Sequence, residues 1–188
     1  MLSEDFYQNA LVLCGTGHRP NKLYNLYDPG LYSRAVRWLA GYLIMIHKAT
    51  AKKLVVISGM ALGFDMVIAL AAILAREMGY PVYLVCAVPC PGQTSKWRNK
   101  NTIRWYNDII SKANWVETVV PDAKTDAECI AAMDTRNRWM VNRSEMVIEC
   151  WNGSPGGTKN CRDYAVGMGR PIVNVFPQII ELLRPLTA

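Results

Sequence analysis

Leu54-Val55-Val56-Ile57-Ser58-Gly59-Met60-Ala61-Leu62-Gly63-Phe64-Asp65 passes from a β-branched apolar run through a small-residue turn into a segment of helical periodicity. A short continuous run of Leu, Val and Ile bounded by glycine reads as a strand buried on both faces. The segment that follows, near 63–78, repeats apolar residues at helical spacing. The stretch is therefore strand, turn, helix, the opening half of a βαβ unit.

The same alternation repeats on either side. Candidate strands are Ala10 to Cys14, Leu54 to Ser58, Val82 to Val88, Trp115 to Val120, Met146 to Trp151 and Ile172 to Phe176. Candidate helices lie near 31–48, 63–78, 103–113, 126–142, 159–169 and 177–184. The helix near 126–142 has the clearest start, since Thr125 and Glu128 have the spacing of a capping box. The expected fold is one α/β domain over residues 1–188, its sheet mainly parallel. In open sheets of this kind ligands bind beyond the carboxyl ends of the strands, so the segments after each strand are where function is sought.

Composition narrows the function classes. A chain of 188 residues with 51% hydrophobic content is near the size of one domain. Its longest apolar stretches, Val82 to Pro89 and Val67 to Ala75, fall short of the roughly 20 residues a membrane helix needs. No membrane partner is expected. Met1 to Gln8 carries acidic and polar residues where a secretory signal would be basic and then apolar, so the expected location is cytoplasmic. The six cysteines, at 14, 86, 90, 129, 150 and 161, form no CxxC pair and have no histidine at zinc-site spacing. Neither a metal nor a cofactor is expected, and the thiols are expected to be reduced. The formal net charge of +6 suits an anionic partner, polymer or small phosphate ester. Lys96, Arg98, Lys100 and Arg104 fall in one expected loop region, and Arg136, Arg138 and Arg143 on one expected helix; solvated surface charge accounts equally well for any one of them.

Four segments carry candidate chemistry. After the first strand, Gly15-Thr16-Gly17-His18-Arg19-Pro20 reads as a turn. Its glycines would let backbone approach a ligand, and Arg19 would grip a phosphate through two parallel hydrogen bonds. Ser58, Gly59, Met60, Gly63 and Asp65 sit where a helix start would offer free N–H groups to an anion; a tight turn in which Gly63 only permits close packing reads equally well. Pro89, Gly92, Gln93 and Trp97 follow the third strand, where an aromatic face would suit a base, or where prolines simply stiffen a surface loop. Trp151 to Asn160 is the most informative segment: Gly153, Gly156, Gly157, Thr158 and Asn160 concentrate glycine and a hydroxyl at a strand-to-helix junction, the make-up of a backbone phosphate cradle. It ends in neither the Gly-Lys-Ser/Thr of a Walker loop nor a Gly-x-Gly-x-x-Gly fingerprint. Just upstream, Arg136, Asn137 and Met140 share one helical face that could point into the cleft; packing of Trp139 and Met140 in the core, with the arginines reaching solvent, reads as well.

Thr16-Gly-His-Arg-Pro20, Ser58 to Asp65, Pro89-Cys-Pro-Gly-Gln93, Arg136-Asn-Arg-Trp-Met-Val141, and Gly156-Gly-Thr158 through Tyr164-Ala165, in that order, resemble the YpsA-like branch of the SLOG superfamily. That superfamily joins the Smf/DprA DNA-processing proteins with the LOG phosphoribohydrolases. The resemblance runs from about residue 11 to about 176. It implies a Rossmann-like sheet with helices on both faces and a pocket built from the segments above. The hydrolase branch has Pro-Gly-Gly-x-Gly-Thr-x-x-Glu, whose glutamate takes part in glycosidic cleavage; here the third residue after Thr158 is Cys161, and a thiol cannot do a carboxylate's work. Asp65 and Asp163 are the nearby acids that would have to substitute.

Three functions follow as expectations. The first is binding, in sensing or sequestration, of a nucleotide or nucleotide-derived small molecule. The second is hydrolysis of a nucleotide N-glycosidic bond through Asp65 or Asp163. The third is single-stranded DNA binding in the manner of the DprA relatives. Aromatic residues in 97–115 are expected to be exposed and to suit a homo-oligomer surface.

Overall fold

The computed structural model describes residues 4–23, 26 and 28–184. In chain order its elements are α1 (Glu4–Tyr7), β1 (Ala10–Gly17), a 3-10 turn (Pro20–Lys22), α2 (Pro29–Thr50), β2 (Lys53–Ser58), α3 (Phe64–Glu77) and β3 (Val82–Val88). They continue with α4 (Lys100–Lys112), β4 (Trp115–Thr118), α5 (Asp126–Asn142), β5 (Met146–Cys150), α6 (Gly157–Gly167), β6 (Ile172–Asn174) and α7 (Phe176–Leu182). The strands form one sheet in the order β4-β3-β2-β1-β5-β6. Every neighbouring pair is parallel.

Strand alternation divides the core in two. Leu13, Val56 and Leu84 lie level across β1, β2 and β3 and face the layer of α2, α3, α4 and α7. Cys14, Ile57, Val85 and Val147 form the next row and face α5 and α6. Each fully buried Leu, Ile or Val in these rows is worth roughly 1.5–3 kcal/mol in apolar transfer. The capping box at the start of α5 is present: the Thr125 hydroxyl accepts from the Glu128 N–H, and the Glu128 carboxylate accepts from the Thr125 N–H.

The chain starts in the middle of the sheet and winds outward both ways, so β1 has β2 on one side and β5 on the other. Such a reversal of winding opens a crevice at the carboxyl ends of the two strands.

Several expectations need correction. β1 continues through Gly17, because Gly15 pairs with Ser58 and Gly17 with Cys150; residues 15–17 are strand rather than turn. A Cβ on Gly15 would lie 2.6 Å from Ile68 and one on Gly17 2.6 Å from Phe64, so these glycines admit the α3 helix. Lys100 and Arg104 belong to α4 rather than to a loop. Trp97, Trp105 and Trp115 are half-buried and Tyr106 is buried, with Trp105 stacked on Tyr32 at 5.6 Å; the 97–115 segment thus lacks the exposed aromatic surface expected of it. Among the described residues, no helix is long and apolar enough to cross a membrane.

Candidate functional site

The start of α6 is built to stay open. β5 delivers the chain at Cys150, and the following segment is pinned by its own polar groups. The Trp151 indole N–H donates to the Ser154 carbonyl at 2.7 Å, and the Ser154 N–H donates to Asn152 Oδ1 at 3.0 Å. Gly156, at φ +139°, turns the chain into the helix without any side-chain cap. The first N–H groups of any helix have no intrahelical acceptor and carry the positive end of its dipole. A Cβ built on Gly156 or Gly157 meets no heavy atom within 4 Å. The helix end therefore looks onto free space.

That space is a cavity of about 390 Å³ lined by Thr16, Gly17, His18, Arg19 and Lys22 from the β1 side, by Asp65 and by Arg136 and Asn137 of α5. Gly156, Gly157 and Thr158 complete it. Three cations, Arg19, Lys22 and Arg136, face the cavity with one acid, Asp65. Lys22 is held over the cradle loop by hydrogen bonds to Ser154 Oγ at 2.6 Å and the Pro155 carbonyl at 3.2 Å.

Arg136 is the most unusual member. It is 6% exposed, its Nη1 lies 3.4 Å from Asp65 Oδ2, and its Nε has no partner. A buried guanidinium holding an unsatisfied donor beside a cavity is costly unless something else meets it. Asp65 also accepts from the Ala61 N–H at 3.2 Å. Burial pushes its carboxyl above the usual range, while the Arg136 guanidinium and that N–H pull it back.

His18 is buried and edge-on to Phe176 at 6.0 Å. Its Nε2 lies 2.6 Å from Asn152 Oδ1 and 3.1 Å from the Asn152 N–H. Burial holds its pKa below the ordinary value, with Asn152 opposing and Lys22 reinforcing that shift. His18 thus ties the end of β1 to the cradle loop.

The remaining expected residues separate. Ser58 donates to the Asp65 carbonyl at 2.7 Å and accepts from the Met60 N–H, while Met60 is wholly buried. Gly63, at φ +104°, lets the His18 carbonyl take the Phe64 N–H at 3.1 Å. The α3 helix start is thereby closed by the protein itself, in keeping with the tight-turn reading of this segment. Gly59 lies directly under the Arg136 guanidinium. Gln93 donates to the carbonyls of Gly59 and Met60 and accepts from the Tyr106 hydroxyl. Gly92, Gln93 and Trp97 line a second chamber of about 690 Å³, which shares Arg19 and Met133 with the first.

Pro89 is buried and accepts from the Val120 N–H. Met140 is 1% exposed in the core between the sheet and α5, so only the Arg136 and Asn137 part of that helical face reaches the cleft. Gly153 and Asn160 are exposed outside the cavity lining. Asp163 is exposed and paired with Lys159 along α6, remote from the role of catalytic acid considered for it. Arg138 pairs with Asp134 at 2.7 Å and Arg143 lies over the Trp139 ring at 4.1 Å. Cys161, the third residue after Thr158, is buried with its thiol pushed up to about 11 by that burial.

Sequence reasoning missed Lys22 and Met133, and it missed Glu149. Glu149 is 2% exposed on β5, with Oε1 bound to Arg162 at 3.2 Å and Oε2 without a partner. Burial raises its carboxyl and Arg162 lowers it. Its signal was a single acid in an otherwise apolar central strand.

No protein-family model matches the chain. It is 27% identical over 116 residues to an uncharacterized SPbeta prophage-derived protein, YoqJ, of Bacillus subtilis (strain 168), a match covering 58% of this chain and 67% of that protein. Among solved structures, DNA processing protein A (DprA) of Streptococcus pneumoniae superposes with a TM-score of 0.59 at 16% identity. The fold is the Rossmann-like fold of DprA. That match covers 89% of this chain and 50% of the pneumococcal one, so the chain spans half the length of that protein. The Helicobacter pylori DprA, whose single-stranded DNA binding mode has been described, gives a TM-score of 0.54 at 18% identity, covering 90% of this chain and 67% of its own.

Proposed function

We propose that the chain binds the phosphate of a nucleotide or nucleotide-derived ligand at the start of α6. One observation carries the reading: the buried Arg136, with an unpartnered Nε, lines the same cavity as an uncapped helix start. An anion there would satisfy both, since helix N-termini and guanidinium groups both donate hydrogen bonds to phosphate and favour its charge. Binding is favoured over glycosidic hydrolysis. Asp65, the single carboxylate among the residues lining this cavity, is already committed to Arg136, and position 161 offers a buried thiol. The order of motifs supports the YpsA-like branch of the SLOG superfamily as the chain's place.

A second reading puts the phosphate on a single strand of DNA. The likeness to two DprA structures favours it, as does the run of Arg19, Lys96, Arg98 and Lys124 along the second chamber. Calorimetric titration with nucleoside mono- and diphosphates, and with a short oligothymidine at several salt concentrations, tests both. Saturable nucleotide binding that Gly157→Val abolishes is the expected result. Oligonucleotide binding with a steep salt slope and no nucleotide binding would favour the second reading. Absence of both would remove the cradle. Analysis of the nucleotide for released base checks hydrolysis in the same samples.

A further inference from the structure

The second chamber contains a pair of thiols that the phosphate reading does not use. Cys90 follows β3 between Pro89 and Pro91, and Cys129 lies in the first helical turns of α5. They pack together with Ala123 and Ala132 in a small cluster separate from the two main cores, Cys129 lying against the buried Cys90 side of it. Both cysteines line the chamber, and Cys129 is half-buried where Cys90 is buried. Cys14, Cys86, Cys150 and Cys161 are instead buried in the main cores.

We propose that Cys90 and Cys129 are a redox-responsive dithiol, a modification site that a low-molecular-weight disulfide such as oxidised glutathione converts into an intramolecular disulfide across the second chamber. The deprotonated Cys129 sulfur attacks one sulfur of the reagent and releases one thiol. Cys90 then loses its proton and attacks the Cys129 sulfur, releasing the second thiol. The two protein thiols are oxidised by two electrons and the reagent is reduced to two thiols. Burial and then the neighbouring Cys129 thiol push the Cys90 thiol up, with the Gly92 N–H opposing that shift, so Cys90 suits the second, intramolecular step, where proximity offsets a small thiolate fraction.

The bond would act on the cleft through α5. Cys129, Met133, Arg136 and Asn137 recur at helical spacing and form one face of α5; the latter three line the phosphate cavity. On the other side, Cys90 is three residues from Gln93, which holds the carbonyls of Gly59 and Met60 beneath Arg136. Closing the disulfide ties these two walls together.

The test exposes folded protein to a glutathione buffer of increasing oxidised fraction, traps free thiols with N-ethylmaleimide, and maps peptides without reduction. A Cys90–Cys129 linked peptide should accumulate before any other cysteine reacts. Amide exchange over 120–133 should slow several-fold in the oxidised protein. Cys90→Ser, checked for an unchanged fold by circular dichroism, should retain glutathione on Cys129 as a stable adduct. Cys129→Ser should leave Cys90 unmodified. A wild-type adduct on Cys129 that never passes to Cys90, linkage appearing only after unfolding in urea, or no reaction at all would overturn the proposal.

Discussion

The starts of α3 and α6 read alike as sequence and differ as structure. Each follows a buried strand, each passes through glycines, and each opens a helix at the carboxyl edge of the sheet. At α3 the protein has filled the position where an anion would sit: the His18 carbonyl takes the Phe64 N–H, and the Asp65 carboxylate takes the Ala61 N–H. A Cβ on Gly63 would press on the His18 carbonyl and lie 2.9 Å from the Arg19 Cα. At α6 nothing lies within 4 Å of a Cβ on either glycine. Glycine thus serves close packing at one corner and leaves open space at the other. What separates them is whether the protein supplies its own partner to the helix N-terminus.

The largest effect is expected at the ion pair that joins the two corners. Arg136→Ala leaves Asp65 buried without its cation, and breaking one side of a buried pair typically costs about 3–5 kcal/mol. Because Asp65 is already raised by burial, losing Arg136 raises it further. A carboxyl whose folded pKa exceeds its unfolded value contributes stability below the unfolded pKa and loses it as pH rises through the folded one. The variant's deficit should therefore be greater at neutral pH than at mildly acidic pH, as read from urea midpoints. A deficit independent of pH would show that Asp65 does not depend on Arg136.

Next comes Gly63→Ala, which forces a β-carbon into a crowded site at positive φ and should cost roughly 1–3 kcal/mol of stability. Gly157→Ala, at the first helical residue of the other corner, where φ is not positive, should cost nothing and gain up to about 1 kcal/mol as a glycine-to-alanine change in a helix. Thermal melts of the two variants side by side measure the contrast. Equal losses at both positions would erase it.

Gly157→Val moves from stability to function. The branched side chain adds bulk at the open helix end. Nucleotide affinity should fall by roughly a hundredfold or more, the loss of an anion site worth about 3 kcal/mol. Unliganded stability should change by no more than about 0.5–1 kcal/mol. Unchanged affinity with lowered stability would make this glycine a turn residue and nothing more.

The fold was legible because parallel strands buried on both faces write continuous β-branched runs, and the capping box at Thr125 marked the start of α5 on local chemistry alone. Residues 15–17 were misread as a turn because their glycines answer to Phe64 and Ile68, which lie far along the chain. Helical spacing grouped Met140 with Arg136 and Asn137, yet periodicity names a face without saying where along it the core gives way to the cleft. Lys22 escaped notice because its place over the cradle depends on Ser154 and Pro155, again a contact between distant segments. The segments that meet at the cavity could be named from sequence. Which of their polar groups the protein satisfies internally required coordinates.

The smallest effect, and the finest measure of the open corner, is Thr158→Val. Thr158 lines the cavity and is half-buried. Valine keeps its shape and branching, so backbone and packing should hardly change. What is removed is one hydroxyl, worth about 0.5–1.5 kcal/mol where it makes an ordinary hydrogen bond. If that hydroxyl meets a ligand phosphate, affinity should weaken by roughly tenfold or less, with the melting temperature of the unliganded protein unmoved. A loss as large as that of Gly157→Val would mean that the side chain of Thr158 holds the anion and the backbone does not. No loss at all would leave the backbone N–H groups at the start of α6 and Arg136 as the whole of the grip.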